Sequence, residues 1–204
     1  GKENVAPRVI LTEGGSMTDI YVYNLLTKDN NGNIKVDQNG NLGITSSNTP
    51  VKVGNLDADF NLGWTNHFTY KGIDLGVVLS ARVGGLAYSA TQGILDYYGV
   101  SETSATARDN GGIPINNGKV NAQKYYQTIG TGEGGYGRYY LYSATNVRLQ
   151  ELSLNYTLPK RWFKNVANVT LGIVGRNLWM IYCKAPFDPE LSASTSSNYY
   201  MNVD

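Results

Sequence analysis

Chemistry in this sequence concentrates in one stretch. Tyr88, Tyr97, Tyr98, Tyr125, Tyr126, Tyr136, Tyr139, Tyr140 and Tyr142 crowd between Leu86 and Thr145, joined by Arg108 and Asp109. A phenol offers an aromatic face with a polar tip, which suits the rings of sugars and the backbones of peptides alike. The chemistry is therefore recognition, and the candidate substrate contacts are Tyr88, Tyr97, Tyr98, Arg108, Asp109, Tyr139 and Tyr140. Tyrosines also pack loops, and the residues alone leave that alternative open.

Bond-making chemistry finds little support. Cys183 is the one cysteine and His67 the one histidine, which excludes an intramolecular disulfide, a Cys-built zinc site and the usual His-rich catalytic metal arrangements. His67 stands among strand-alternating residues with no Ser or Cys nucleophile motif beside it, so it reads as a lumen-facing or interfacial residue. Asp57 and Asp59 share one strand face, but the carboxylates of a glycoside hydrolase flank the sugar from separate segments, and spacing does not identify them. Gly130-Thr-Gly-Glu-Gly-Gly135 matches a dinucleotide-binding glycine pattern literally, yet it precedes Tyr136-Gly-Arg-Tyr-Tyr140 where a helix is required, and it reads as a loop. Asp29-Asn-Asn-Gly-Asn33 and Asp37-Gln-Asn-Gly-Asn41 carry the oxygens calcium takes, but the spacing fails the EF-hand rule and the closing bidentate Glu is missing. Tandem Asn-Gly turns explain the same residues. The expectation is a protein that is not an enzyme, with no cofactor, metal or catalytic residue.

The elements that would position the tyrosines are strands. The 204 residues, 41% hydrophobic, suffice for one domain or a piece of a larger one. Their 24 Gly, 16 Tyr and 22 Asn against 16% charged residues favour strands and turns over a helical bundle. The 17 basic and 16 acidic residues are interspersed, which gives nucleic acid no electrostatic footprint. The start, Gly1-Lys-Glu-Asn4, has no basic or apolar leader and reads as mid-protein. No window reaches the roughly 18 apolar residues of a spanning helix. Spanning strands, of about 9 to 11 residues each, are left.

Period-two alternation picks them out. From Asp57 to Gly84 the sequence predicts a long hairpin about Lys71-Gly72, with Phe60, Leu62, Trp64, Phe68 and Tyr70 on one face of its first arm and only Asn66 breaking the pattern. Ile73, Leu75, Val77, Leu79 and Ala81 share a face of the second arm. A second pair covers Asn146 to Leu158 and Asn168 to Tyr182, the first with a phase slip at Gln150-Glu151 that predicts a β-bulge. Between them Pro159 to Asn165 predicts one helical turn begun by proline. Ile20 to Leu26 and Ile34 to Val36 are weaker strand candidates, and Ala90 to Tyr98 a short helix.

The connections alternate short, long, short, long: Lys71-Gly72, Leu86 to Thr145, Pro159 to Ala167, then Lys184 onward. Outer-membrane barrels are built this way, with brief periplasmic turns and extended extracellular loops. Phe68, Tyr70, Tyr156 and Trp162 fall at one end of the strands and Trp179 and Tyr182 at the other, as two aromatic girdles would. Asp74, Arg82, Arg148 and Arg176 fall on the polar face, where a lumen accepts them. The expected fold class is all-β, an antiparallel transmembrane β-barrel segment. Residues 1–204 would be part of one barrel domain, with 86–145 a long extracellular loop and 159–167 a short periplasmic turn.

Asn146-Val-Arg-Leu-Gln-Glu-Leu-Ser-Leu-Asn-Tyr-Thr-Leu-Pro159, then Gly175-Arg-Asn-Leu-Trp179 and Phe187-Asp-Pro-Glu190, resemble the C-terminal barrel portion of the SusC/RagA-type TonB-dependent outer-membrane transporters of Bacteroidetes. The Asp29 to Asn41 hairpin, the long hairpin and Ala107-Arg-Asp-Asn-Gly-Gly-Ile113 are similar to the family less specifically. The resemblance implies a large barrel with an N-terminal plug in the Gram-negative outer membrane. It implies import of oligosaccharides or peptides, energised by TonB, together with a SusD-like surface lipoprotein. The plug region and the final aromatic-ended strand of that family have no counterpart in this sequence, which stops at Asn202-Val-Asp204. A few strands cannot close a ring in lipid. The expected partners are therefore the rest of the barrel and plug, the lipoprotein, TonB through the missing N-terminal part, the substrate and outer-membrane lipid.

A soluble secreted β-sandwich that binds carbohydrate through its tyrosines is the rival reading, and a hydrolase a weaker third. A sandwich buries Phe60, Leu62, Leu75 and Val77 in one core, whereas a barrel turns them to lipid.

Overall fold

The structure, a computed structural model, describes residues 6–130, 136–164 and 166–190. In chain order the first strands are β1 (Arg8–Val9), β2 (Asp19–Leu26), β3 (Ile44–Asn55), β4 (Phe60–Tyr70), β5 (Ile73–Val83) and β6 (Leu86–Tyr88). There follow α1 (Ala90–Tyr98), α2 (Glu102–Asp109), β7 (Ile113–Ile115), β8 (Gly118–Val120) and α3 (Ala122–Ile129). The chain continues through β9 (Leu141–Ser143), β10 (Asn146–Thr157) and β11 (Thr170–Cys183). They fall into two compact units, one drawn from residues up to 57 and from 86–142, the other from 58–85 and 143–189.

The unit from 58–85 and 143–189 is an antiparallel sheet in the order β11-β10-β5-β4. Lys71 and Gly72, both at positive φ (48° and 86°), make the tight two-residue turn that matches the twist of the flanking strands. From there Tyr70, Ile73, Tyr156 and Leu171 form one cross-strand row, and Phe68, Leu75, Leu154 and Ile173 the next on the same face. Trp64, Leu79, Leu149 and Trp179 make another, followed by Leu62, Ala81, Val147 and Tyr182. This apolar face is open: Phe60 is 50% exposed, Leu62 60% and Ile173 76%. The opposite face carries Thr65, Val78 and Glu151, then His67, Gly76 and Ser153, then Thr69, Asp74 and Asn155. Asp74, Arg82, Arg148 and Arg176 all share it, as their sequence phase requires.

Strand β10 keeps its faces only by a bulge. Its register shifts against both neighbours between Leu149 and Glu151, leaving Gln150 without a ladder partner. Facing it in β11, Asn177 adopts φ +50°, a conformation Asn tolerates far better than a β-branched residue. The β10–β11 connection holds a single 3-10 turn at Lys160–Phe163 directly behind Pro159, where the sequence predicts a proline-started helical turn.

The long insertion leaves and rejoins this sheet at one place. Gly84 and Gly85, at φ 85° and 77°, end β5. The Gly84 amide donates to Thr145 Oγ1 at 3.0 Å, and the Ala144 amide to the Gly85 carbonyl at 3.0 Å. A Cβ on Gly84 would lie 2.3 Å from Asp59 Oδ2 and 2.8 Å from its backbone nitrogen, so a side chain has no room there.

In the other unit β2 lies between β1 and β3, while β6 pairs with β9 and β7 with β8. Ile20, Leu26, Leu42, Tyr88, Ile115, Val120, Ile129 and Tyr140 form its buried core. The Leu86–Tyr142 segment is thus folded around apolar contacts. Strand β3 has no counterpart in the sequence reading, because Pro50 and a polar stretch hide it. Pro lacks the ladder donor, and β3 admits it as an edge strand whose register shifts opposite Val22 to Asn24.

The expected strand Ile34–Val36 is replaced by isolated bridges, Lys28 to Ile34 and Val36 to Leu42. The reason is local: Ile34 gives its amide to Asn116 Oδ1 (3.1 Å) and its carbonyl accepts from Asn116 Nδ2 (3.0 Å), so one side chain does the work of a strand partner. The flanking turns repeat a single design. Asp29 Oδ1 accepts the amides of Asn31 and Asn33, and Asp37 Oδ1 those of Asn39 and Asn41. These amides hold both carboxyls below the usual carboxylate value. Turn chemistry accounts for the repeated Asp-x-Asn-Gly-Asn pattern. Residues 131–135 of the glycine run, the opening residues 1–5 and the tail from 191, with Asn202-Val-Asp204, lie outside the described residues.

Candidate functional site

Three short helices carry the tyrosine-rich site. Ser89 caps α1, accepting the Gln92 amide at 3.1 Å, and Gly99 at φ 70° ends it, its amide bonded to the Asp96 carbonyl. Ser101 caps α2 through the Ser104 amide (3.1 Å), and Asn121 caps α3 through the amides of Gln123 and Lys124 (2.9 and 3.3 Å). Both α1 and α2 pack on α3. The helix predicted at Ala90 to Tyr98 is present with those bounds.

Asp96 is the hub. It is 5% exposed, and its Oδ1 accepts from Gln92 Nε2 (2.9 Å), Ser101 Oγ (2.5 Å) and Thr103 Oγ1 (3.0 Å). A buried carboxylate persists only when so satisfied. Burial and then the Asp96 charge push the Tyr142 phenol up to about 12, and burial first and Asp96 second raise Tyr140 and Tyr126. Burial alone raises Tyr88. These phenols stay neutral donors at any physiological pH.

The candidate contacts fall in four places. Tyr97, Tyr98 and Arg108 come together, lining a cleft of about 160 Å³ with Gln123 and Tyr126. Tyr97 and Tyr98 meet edge to face at 5.1 Å, and Arg108 Nη1 donates to the Gly99 carbonyl at 2.6 Å, which fixes the guanidinium at the rim. Tyr98, 66% exposed, presents its ring outward. Tyr88 and Tyr140 are buried core residues that hold the segment together. Tyr139 stands apart from the cleft, its phenol oxygen accepting the Leu26 amide at 2.6 Å, and Asp109 is exposed at the last turn of α2. Sequence reasoning missed Asp96 and Ser101, and had Tyr126 only as one of the crowded tyrosines. The available signal was a pair of Ser caps bracketing an acidic residue inside an apolar helix.

Such a cleft can hydrogen-bond and stack one residue-sized group, being smaller than the 300 to 1,000 Å³ typical of drug-sized sites. Among the described residues no cluster of three His, Cys, Asp or Glu side chains could hold a metal.

No protein-family model matches the chain. Over 179 residues it is 26% identical to TonB-dependent receptor P3 of Formosa agariphila, covering 86% of the chain and 17% of that relative. Its fold matches the RagAB peptide transporter with a TM-score of 0.57, at 18% identity over 90% of this chain and 21% of that one. A RagAB peptide importer in the closed-closed state gives 0.53 at 19% identity, over 91% and 21%. The chain is built like a barrel portion of a SusC/RagA-type TonB-dependent receptor. It spans about a fifth of the length of these relatives.

In this SusC/RagA-like portion the residues that carry the resemblance have physical tasks. Arg148, in the strand motif, sends Nη2 to Asp188 Oδ1 (2.7 Å) and Nη1 to Oδ2 (3.3 Å), a two-pronged ion pair into the Asp-Pro-Glu loop. Arg176 Nε reaches Glu151 Oε2 at 3.0 Å beside the bulge, and the neighbouring Asn177 supplies its positive φ.

Proposed function

We propose that the chain is the C-terminal barrel part of an outer-membrane TonB-dependent transporter that imports oligosaccharides or peptides. One observation carries this reading. A four-stranded antiparallel sheet leaves a continuous apolar face open while every charged side chain of its strands takes the other face. Lipid suits the first face and an aqueous lumen the second. Exposed Phe60 and Leu62 speak against the sandwich, which would bury them. On this reading residues 86–145 form an extracellular, substrate-facing segment and 159–167 a periplasmic turn. Tyr97, Tyr98 and Arg108 contact substrate, and the function is gated import without covalent chemistry. The plug, the TonB contact and the remaining strands belong to the rest of the protein. A SusD-like surface lipoprotein is the external partner, as the family resemblance of the strand motif implies.

The test is fractionation of the native protein from outer membranes in detergent. Copurification with plug-bearing sequence and a surface lipoprotein is the expected result. A stable 22 kDa species that needs no detergent would sink the reading.

A further inference from the structure

A second cleft, of about 670 Å³, opens along β2 and β3 and has a charge pattern of its own. Tyr23, Leu25 and Thr27 alternate along one face of the chain there, and Val51 of β3, paired with Val22 beside the register shift, completes the apolar lining. Lys28, Lys52 and Arg138 supply three cations, and among the described residues the lining contains no Asp or Glu. Asp19 neutralises only Lys52, through a 2.5 Å contact to Nζ. Lys28 and Arg138 have no carboxylate partner among the described residues and flank an apolar floor. Tyr139 adds a directed donor: its oxygen accepts the Leu26 amide at 2.6 Å, which leaves the phenolic hydrogen for an incoming acceptor.

We propose that this cleft binds a short peptide that presents a carboxylate beside an aliphatic side chain, with Lys28, Arg138 and Tyr139 taking the carboxylate and Leu25 and Val51 the apolar group. Charge complementarity selects the anion. The aliphatic floor selects the peptide over an acidic sugar, because a sugar ring stacks on open aromatic faces and the Arg8 guanidinium already lies over the Tyr23 ring, 5.9 Å from its centroid. The cleft is large enough for two or three residues. This deepens the import reading and rests on it.

The experiment uses the full-length protein in detergent, titration calorimetry and three unlabelled probes: Gly-Leu-Glu-Leu-Glu, its Gln counterpart with an amidated end, and tetragalacturonate. The acidic peptide should bind about tenfold tighter than the neutral one, an advantage that shrinks as salt rises. The double variant Lys28→Gln/Arg138→Gln should bring the acidic peptide down to the affinity of the neutral one, while Lys28→Arg/Arg138→Lys retains the preference. Equal binding of the two peptides, or a preference that survives the double Gln variant, overturns the proposal. Tetragalacturonate binding as tightly and displacing the peptide overturns the peptide assignment. Uptake of the acidic peptide by cells with and without the protein is scored separately: equal uptake refutes import while leaving the binding result to decide the cleft.

Discussion

At the scale of single residues, the ion pair between Arg148 and Asp188 and the buried Asp96 hub carry the largest consequences. Arg148 is nearly buried, its side chain 8% exposed, so removing its partner strands a charge. Asp188→Ala should lower the stability of the folded protein by about 3 kcal/mol, the lower end for a broken buried pair because Arg148 keeps its bond to Asn146 Oδ1; thermal unfolding in detergent reads it. The raised phenols predict a sign in pH. Tyr142 ionises in the unfolded chain near 10 and in the folded one near 12, so its contribution is complete below pH 10 and is lost as the pH climbs toward 12. Titration of tyrosinate absorbance should therefore show a late-ionising fraction that appears together with unfolding. Neither feature was legible in the sequence. Arg148 and Asp188 lie 40 positions apart, and the burial of Asp96 depends on donors that only folded helices assemble.

At the scale of elements, what was legible followed from periodicity. The arms about Lys71-Gly72 were readable because a period of two tells apolar from polar faces without tertiary knowledge, the bulge at Gln150 because that period slips by one there, and the turn at Pro159 because proline starts a helical turn. Strand β3 was hidden by Pro50. Helices α2 and α3, eight residues each, were too short for periodicity, and their marks were the caps Ser101 and Asn121. Those caps are testable. Ser101→Ala removes both the α2 cap and a donor to Asp96, and should cost about 1 to 2 kcal/mol, against about 1 for Asn121→Ala; faster amide exchange in α1 and α2 for the first variant, and in α3 alone for the second, separates them. The tight turn offers another test: Gly72→Val puts a β-branched residue at φ +86°, with its Cβ 2.9 Å from the Thr157 carbonyl oxygen. It should slow assembly of the hairpin, read as a delayed folded band.

At the scale of the whole molecule, the two-faced sheet sets the rules. Leu152 lies in the central row of the apolar face, so Leu152→Arg should cost roughly 2 to 4 kcal/mol of membrane stability. Thr65→Lys, on the polar face in the same row as Glu151, should be tolerated. The yield of heat-modifiable folded protein in outer-membrane fractions distinguishes them, and equal yields would mean that the apolar face does not meet lipid. The candidate binding residues could be read from the sequence only as a crowd of tyrosines; which rings open outward and which fill the core depended on chain packing far from any one of them. The pairing of Gly84-Gly85 with Ala144-Thr145 closes the insertion with its two ends side by side. Loop closure grows only slowly costlier with length, so the strands on either side are indifferent to what hangs between them. The four-stranded sheet is therefore blind to the length of the segment, whose limits are set instead by the core that its Tyr88, Ile115, Val120, Ile129 and Tyr140 share with Ile20, Leu26 and Leu42: surface turns can be lengthened or trimmed, the core positions cannot.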